Sequence, residues 1–406
     1  MKTEIIKENI AAAAEIIRKG GLVAVPTETV YGLAANGLDT AAVERIYAVK
    51  GRPSEKPLSL MVSGAEDIER LCEDVPPAAY ALAGRFWPGP LTIVLRAKKE
   101  IPPIVRAGGE TVGLRCPASE KTLALLKTSG VPLAAPSANP SGAESPKTAA
   151  EVMSYFDGRI DAVVDGGECT LGRESTVLDL TARPWRVLRQ GAVSEREISQ
   201  ALIASLKILG VTGGTGTGKT TALSSLAGMG ALVIDADAVY HGLCESCAEM
   251  LERINECFPG TVKGGALQRK TLGSVVFSDS EALQALRDIT DRYVEREIDR
   301  LLAEHAAAGG RYAAVDAINL LDTPLMAKLT ATVGIVASEK TRVRRLMERE
   351  NISEQYALLR IRAQKSAEYF EENCDYIIRN DGSLGDYRRE CDALFSKLLK
   401  EKKNHG

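Results

Sequence analysis

Aromatic residues make up only 5% of the chain, and stretches such as AAAAEII point instead to closely packed helices with few bulky anchors. No run of 18 apolar residues occurs, which excludes a membrane-spanning helix. The opening MKTEIIKENI is charged and has no apolar signal core, so a cytoplasmic protein is expected. An excess of basic charge is missing too. Residues 1–205 carry 24 Lys and Arg against 25 Asp and Glu, and residues 206–406 carry 27 against 29. That balance weighs against non-specific nucleic-acid binding, while a locally basic cleft stays compatible with it and direct nucleic-acid contact stays open. There is no internal repeat and no low-complexity tract beyond the short basic end KEKKNHG. Among the 8 cysteines, Cys244 and Cys247 form a Cys-x-x-Cys pair with Cys257 nearby. No fourth ligand stands at a matching spacing, so neither a zinc knuckle nor a disulfide is expected.

What is present is enough for two domains of about 200 residues each, read as 1–205 and 206–406. The first half mixes short apolar runs (LVAVP, LTIVL, VGLRC, PLAAP, DAVVD, TVLDL, WRVLR) with helical patterns at 11–19, 41–50, 65–72, 77–85 and AAEVMSYF. This predicts an α/β domain around a twisted, mixed sheet. The second half alternates strands (KILGVTG, ALVIDAD, RYAAVDA, ATVGIVA) with helices, the clearest at 281–308, 340–350 and 353–369. Such alternation predicts a parallel sheet with helices on both faces, the phosphate-loop NTPase type. Around SEREISQALIASLKI a helix runs almost directly into a strand, with no flexible linker.

Residues 210–221, GVTGGTGTGKTT, contain Gly213-x4-Gly218-Lys219-Thr220, a full phosphate-loop pattern between an apolar strand and a helix. Gly213, Gly214, Gly216 and Gly218 let successive N–H groups turn inward around phosphate at a helix N-terminus. Lys219 adds a cation, and the hydroxyl of Thr220, beside Thr221, suits Mg²⁺. The pattern specifies a nucleoside triphosphate and leaves the acceptor open. At the end of the next strand, Asp235 and Asp237 face the loop. Either can serve as a helix N-cap, and either can accept a proton from an acceptor hydroxyl. RVRRLMER, residues 342–349, spaces arginines along a helix. It is either a solvated face or a lid that neutralises a transferring phosphoryl group.

These motifs, with LQRKTLGSVVFSD, a strand ending at Asp316, RIRAQ and DYIIRNDGS, resemble dephospho-coenzyme A kinase across 207–395. The resemblance implies transfer of the ATP γ-phosphate to the ribose 3'-hydroxyl of dephospho-CoA, with Mg²⁺. It implies Asp237 as base, Arg269 as a substrate contact, Arg345 and Arg349 as lid arginines on the ATP side, and Asn380 near the adenine. Two departures bear on the acceptor contacts: Asp291-Arg292 stands where the family has His-Pro, and AINLLDT replaces its usual Pro-Leu-Leu-Phe-Glu.

The front half carries PTETVYGLAA, then Lys50-Gly-Arg52-Pro-x-x-Lys56-Pro, FWPGPLT, VGLRCP, PSANPSG, GRESTVLD and LRQG. Lys50, Arg52, Lys56, Arg115 and Arg189 place cations at strand ends or in loops beside Ser/Asn turns, as a polyphosphate or carboxylate site requires. Singly, each could be an exposed charge, and Ser137 and Asn139 could be turn formers. Together, over residues 5–192, they resemble the YrdC-like domain of the threonylcarbamoyl-AMP synthase family. That resemblance implies ATP-dependent joining of L-threonine and bicarbonate to give threonylcarbamoyl-adenylate and pyrophosphate, a step toward threonylcarbamoyladenosine on tRNA. Transferase proteins of tRNA modification would then be indirect partners. It places Lys50, Arg52, Ser137 and Asn139 around the nucleotide. Thr27, Tyr31, Arg115 and Ser175 fall on the substrate side, Thr111, Ser145 and Arg189 on the ATP side, and Lys56 near phosphates. Lys147 departs from a position where the family often has a small hydroxyl residue. The competing reading is a double-stranded-RNA-binding module fused to another phosphate-loop small-molecule kinase.

Overall fold

The computed structural model describes residues 2–317 and 319–400. The chain clusters into two compact units that part between Leu202 and Ile203, inside the helix Glu195–Ala204.

In the first unit an eleven-stranded mixed sheet forms the backbone of the fold. Its order is Glu4–Ile6, Ala162–Val164, Val23–Val25, Gly32–Asn36, Leu133–Ala134, Ser59–Met61, Thr111–Arg115, Leu91–Ala97, Thr176–Asp179 and Arg186–Arg189, with Cys72–Glu73 also paired to Leu91–Ala97. The sheet combines parallel and antiparallel ladders, as the mixed-sheet expectation required. Val23–Val25 is buried along its whole length, which is why it reads as an unbroken apolar run rather than an alternating one. Ala13, Ala14, Ile17, Val23, Val25, Ala34 and Leu125 form one cluster of small and medium side chains.

Two local devices position the front site. Asp39 accepts hydrogen bonds from the N–H groups of Ala41 and Ala42 and so starts the helix Thr40–Lys50. Gly51, at φ 60°, ends it in the left-handed region, which glycine enters without a Cβ clash. Lys50 is therefore the last helical residue, where the negative end of the helix dipole favours a cation.

The second unit contains an all-parallel five-stranded sheet, ordered Leu232–Asp235, Tyr312–Asp316, Lys207–Thr212, Ala331–Val336, Tyr376–Arg379. The fifth strand, Tyr376–Arg379, was not among those expected from the sequence. On one face, Leu209, Val211, Ala314, Val333 and Ile335 pack with Ala222 and Leu226 of the helix Lys219–Gly228 and with Tyr387, Cys391 and Phe395 of the helix Leu384–Lys400. On the other, Gly210 lies so close to Leu320 and Leu329 that a Cβ would collide with them. The chain leaves the central strand Lys207–Thr212 toward one edge and later returns to its other side. The carboxyl ends of the strands therefore enclose a crevice at a topological switch point.

The expected helix over 353–369 is two helices, Glu354–Arg362 and Ala367–Asn373. The Ser366 hydroxyl accepts the Tyr369 N–H and restarts the second one, and Gln364, in the break, turns toward the phosphate loop.

Candidate functional sites

The front site is assembled from loops at strand and helix ends. Lys50 is 4% exposed, and its ammonium donates to the carbonyls of Ser137 and Asn139. Burial, and after it the neighbouring Arg52, push its pKa down to about 8, against a smaller opposing pull from Glu174. An ammonium has three donors, so two carbonyls orient it and a third donor stays available. The Ser137 segment is stitched to Tyr31: Ala138 N–H donates to the Tyr31 carbonyl at 2.7 Å, and Gly32 pairs with Ser137. Asn139 is buried, its Nδ2 donating to Pro140 O at 3.0 Å and to Ala143 O at 2.8 Å, while its Oδ1 meets no donor. Arg52 braces its own loop through Lys56 O (3.2 Å) and Pro57 O (3.0 Å), and the Lys56 side chain is exposed.

A second cluster adjoins it. Ser145 donates to Glu174 at 3.2 Å, Arg189 pairs with Glu174, and Arg189 also reaches the Ser175 carbonyl at 3.0 Å and hydroxyl at 3.1 Å. Ser175 in turn lies 3.0 Å from the Thr92 hydroxyl. Arg115 ends its strand buried, 2.7 Å from Glu28 and 2.8 Å from the Thr29 hydroxyl, with Nε donating to Gly89 O at 3.2 Å. Thr27 is buried in the same turn, donating to Val30 O at 2.6 Å and accepting from the N–H of Thr29 and of Val30. The Tyr31 hydroxyl donates to Gly167 O at 2.8 Å and accepts from Gly166 N–H at 3.1 Å; burial pushes its pKa up to about 12. It is neutral at ordinary pH. Thr111 starts the strand that Arg115 ends, about 13 Å away by strand rise, so these two are not brought together.

The structure adds Glu28 and Glu174 to the residues singled out from the sequence. Both stand inside motifs quoted above. Their role as partners of Arg115 and Arg189 depends on tertiary contact across the sheet, which spacing does not encode.

In the rear site, Gly213, Gly216 and Gly218 take φ of 147°, 77° and 105°, conformations that side chains rarely tolerate. A Cβ on Gly214 would strike the Arg342 guanidinium. Lys219 donates to Gly213 O at 2.9 Å and lies 3.7 Å from Asp316, beyond hydrogen-bond reach. Thr220 and Thr221 open the helix behind it. Asp235 is the helix N-cap, accepting from Asp237 N–H at 2.9 Å and Ala238 N–H at 3.0 Å. Asp237 is thus the carboxylate left over from capping. It opens to solvent, yet desolvation, followed by the Asp235 charge, raises its pKa against the pull of Lys219 and His241. Asp316 is likewise raised, first by burial, and its Oδ1 has no hydrogen-bond donor.

Asn380 donates to Thr217 O at 2.7 Å and accepts from Arg345 at 3.0 Å; Arg345 also reaches Gly216 O at 3.3 Å. Arg349 turns outward to Glu350 at 2.5 Å, and Arg269, exposed, pairs with Glu245 at 3.5 Å. Neither is brought to the loop in this structure. Tyr387, which donates to Gly218 O at 3.0 Å, and Asp316 are further residues at the loop. Among the described residues, no three His, Cys, Asp or Glu side chains gather as a metal cage, and the cysteines are free.

These sites define two α/β domains, a mixed-sheet domain with a cation-lined loop cluster and a phosphate-loop domain with carboxylates at its switch point. Residues 15–191 match the family model described as telomere recombination, that of Sua5, YciO and YrdC. Residues 207–386 match the dephospho-CoA kinase model. A threonylcarbamoyl-AMP synthase of Pyrococcus abyssi is 46% identical over 202 residues, covering 50% of this chain and 59% of the relative. A putative threonylcarbamoyl-AMP synthase of Mycobacterium tuberculosis is 35% identical over 193 residues, covering 48% of this chain and 88% of the relative. A crystal structure of P. abyssi Sua5 complexed with L-threonine aligns at 31% identity and a TM-score of 0.48, over 79% of this chain and 93% of that chain. The chain belongs to the Sua5/YciO/YrdC family through its N-terminal half, and its C-terminal half matches the dephospho-CoA kinase family model. It spans 59% and 58% of the length of the synthases of P. abyssi and Bacillus subtilis. Among the described residues no helix is long and apolar enough to cross a membrane.

Proposed function

We propose that the chain is a bifunctional enzyme. Its front domain joins L-threonine, bicarbonate and ATP into threonylcarbamoyl-adenylate and pyrophosphate, and its rear domain phosphorylates dephospho-CoA at the ribose 3'-hydroxyl. The observation that carries the first half is Lys50, a buried ammonium held by two neutral carbonyls and free to meet a phosphate. The chemistry there asks for positioning and charge neutralisation more than acid–base groups. The threonine amine and bicarbonate form a carbamate with loss of water; a carbamate oxygen then attacks the α-phosphate, the α–β anhydride bond breaks, and pyrophosphate leaves. Lys50 and Arg52 stand where that charge develops, and the open Asn139 acceptor suits an N–H donor of the nucleotide. Arg115, with Ser175 and the neutral Tyr31 hydroxyl, suits the threonine carboxylate and hydroxyl. The relatives' names favour this reading over an RNA-binding module.

In the rear domain, the division between Asp235 as cap and Asp237 as uncommitted carboxylate supports Asp237 as the base that takes the proton of the acceptor hydroxyl. Lys219, Arg345 and the loop N–H groups neutralise the transferring phosphoryl group. The residues fit Mg²⁺, since Thr220 and the orphaned Asp316 oxygen are hard donors and this ion usually takes one or two protein ligands beside phosphate oxygens. Bound there, the ion would add charge neutralisation at the phosphates. The protein, by this reading, acts in the cytoplasm.

The test is to measure threonine- and bicarbonate-dependent pyrophosphate release and dephospho-CoA phosphorylation on the intact chain, on Lys50→Ala and on Lys219→Ala. Each variant is expected to lose one activity and keep the other. RNA binding without pyrophosphate release refutes the front assignment, and failure to phosphorylate dephospho-CoA refutes the rear one.

A further inference from the structure

The helix Glu339–Glu350 treats its arginines in two ways. Arg349 faces solvent and pairs with Glu350, which Arg360 also engages. Arg342 is 6% exposed, and among the described residues it has no carboxylate in ion-pair reach. Its Nε donates to Thr215 O at 2.9 Å and one terminal nitrogen donates to Gln364 Oε1 at 3.1 Å. The same Gln364 oxygen accepts Thr215 N–H at 2.7 Å. A ring closes: Thr215, in the middle of the phosphate loop, has its N–H held by Gln364 and its C=O held by Arg342, and those two side chains bond each other. Gly214 and Gly216 both abut Arg342.

A buried guanidinium is costly unless its donors are met, and a carboxylate is the partner that meets them most strongly. Here a neutral amide stands instead, directly beside a loop built for anions. We infer that Arg342 is a further source of positive charge for the bound nucleotide phosphates and that Gln364 is its positioning residue, orienting it and the loop without cancelling the charge. This inference rests on the phosphate-loop reading above. Burial, which lowers the Arg342 pKa, with a weaker opposing influence from Glu339, agrees with a cation left without a full counter-ion.

The distinguishing variant is Gln364→Glu. It keeps the acceptor oxygen and strengthens both hydrogen bonds, so a merely structural role predicts equal or better function and stability. Our inference predicts the opposite for nucleotide: an introduced negative charge next to Arg342 weakens ATP binding about tenfold, with an unchanged or raised thermal midpoint. The measurement is calorimetric ATP titration of the intact chain, following the binding component that Lys219→Ala abolishes. An unchanged ATP affinity in Gln364→Glu overturns the inference. The absence of any Lys219-dependent component in the unsubstituted chain overturns the phosphate-loop reading itself, so the two failures are separable. Should Gln364→Glu not fold, Arg342→Lys and Arg342→Met decide. The lysine variant is expected to bind ATP within about threefold of the parent and the methionine variant about tenfold more weakly; equal affinities overturn the inference.

Discussion

Lys50 gives the front domain a pH dependence that can be worked from its surroundings. Its ammonium is almost fully buried, and its pKa is pushed down to about 8 from 10.5. The difference is about 3 kcal/mol against the charged form. In the free protein, then, each pH unit above about 8 removes roughly nine-tenths of the remaining protonated Lys50. If that charge meets the triphosphate, kcat/KM for ATP in threonine-dependent pyrophosphate release falls about tenfold per pH unit on this limb, because kcat/KM reports the free enzyme. The kcat limb lies higher, since bound phosphate favours the charged form. Threonine and bicarbonate also titrate in this range, so the decisive comparison is with Lys50→Arg, whose guanidinium stays protonated. That variant is slower in absolute rate, and the ratio of the two profiles isolates the lysine. Stability moves in a defined direction as well. The folded pKa is below the unfolded one, so the cost is carried in full below pH 8 and is relieved as pH rises toward 10.5; front-domain stability relative to Lys50→Met should rise across that window. A kcat/KM limb near 10, or one that persists unchanged in Lys50→Arg, would refute the reasoning.

The proposed base of the rear domain predicts the complementary acid limb. Asp237 acts as a base only when ionised, and desolvation and Asp235 raise its pKa, so phosphorylation should fall on acidification above the ordinary carboxylate range. Asp235→Asn keeps the helix cap and removes the like charge, and should move that limb to lower pH; an unmoved limb excludes Asp237 as its source. Asp237→Asn should cut kcat by about 10²–10⁴ with KM for ATP within about threefold, checked by steady-state kinetics. The buried pair of Arg115 and Glu28 supplies a stability test. Arg115→Met strands a buried carboxylate and should cost about 3 kcal/mol in denaturant unfolding, much of it recovered in the double variant with Glu28→Met; an additive loss in the double variant would show that the pair is not coupled.

Much of both sites was legible because the chemistry is written in contiguous backbone. The rear loop needs glycines at fixed offsets, and Gly213, Gly216 and Gly218 do take positive φ. The front turns likewise place Lys50 beside Ser137 and Asn139 through short loops closing on one sheet. What the sequence left open are choices of partner. Helical spacing puts residues 342, 345 and 349 near one side of a helix, yet Arg342 and Arg345 reach the loop while Arg349 finds Glu350. The expected helix 353–369 breaks because Ser366 caps a new turn and Gln364 serves a loop 149 residues away. The strand Tyr376–Arg379 is a four-residue edge strand, too short for a periodic signal of its own.

The same physical choice recurs at both candidate sites. Lys50 is held by the carbonyls of Ser137 and Asn139, Arg345 by loop carbonyls and Asn380, and Arg342 by a carbonyl and Gln364. Neutral acceptors fix a cation's direction and leave its charge for a ligand, whereas a carboxylate fixes the direction and spends the charge. Arg115 with Glu28 shows the second arrangement, and so does Arg189 with Glu174. Net charge of -3 over 406 residues therefore carries little information about these sites, because it counts cations without asking what holds them. The discriminating property is whether a buried cation is oriented by oxygen that is neutral or charged, and it emerges only when residues distant in sequence are folded together.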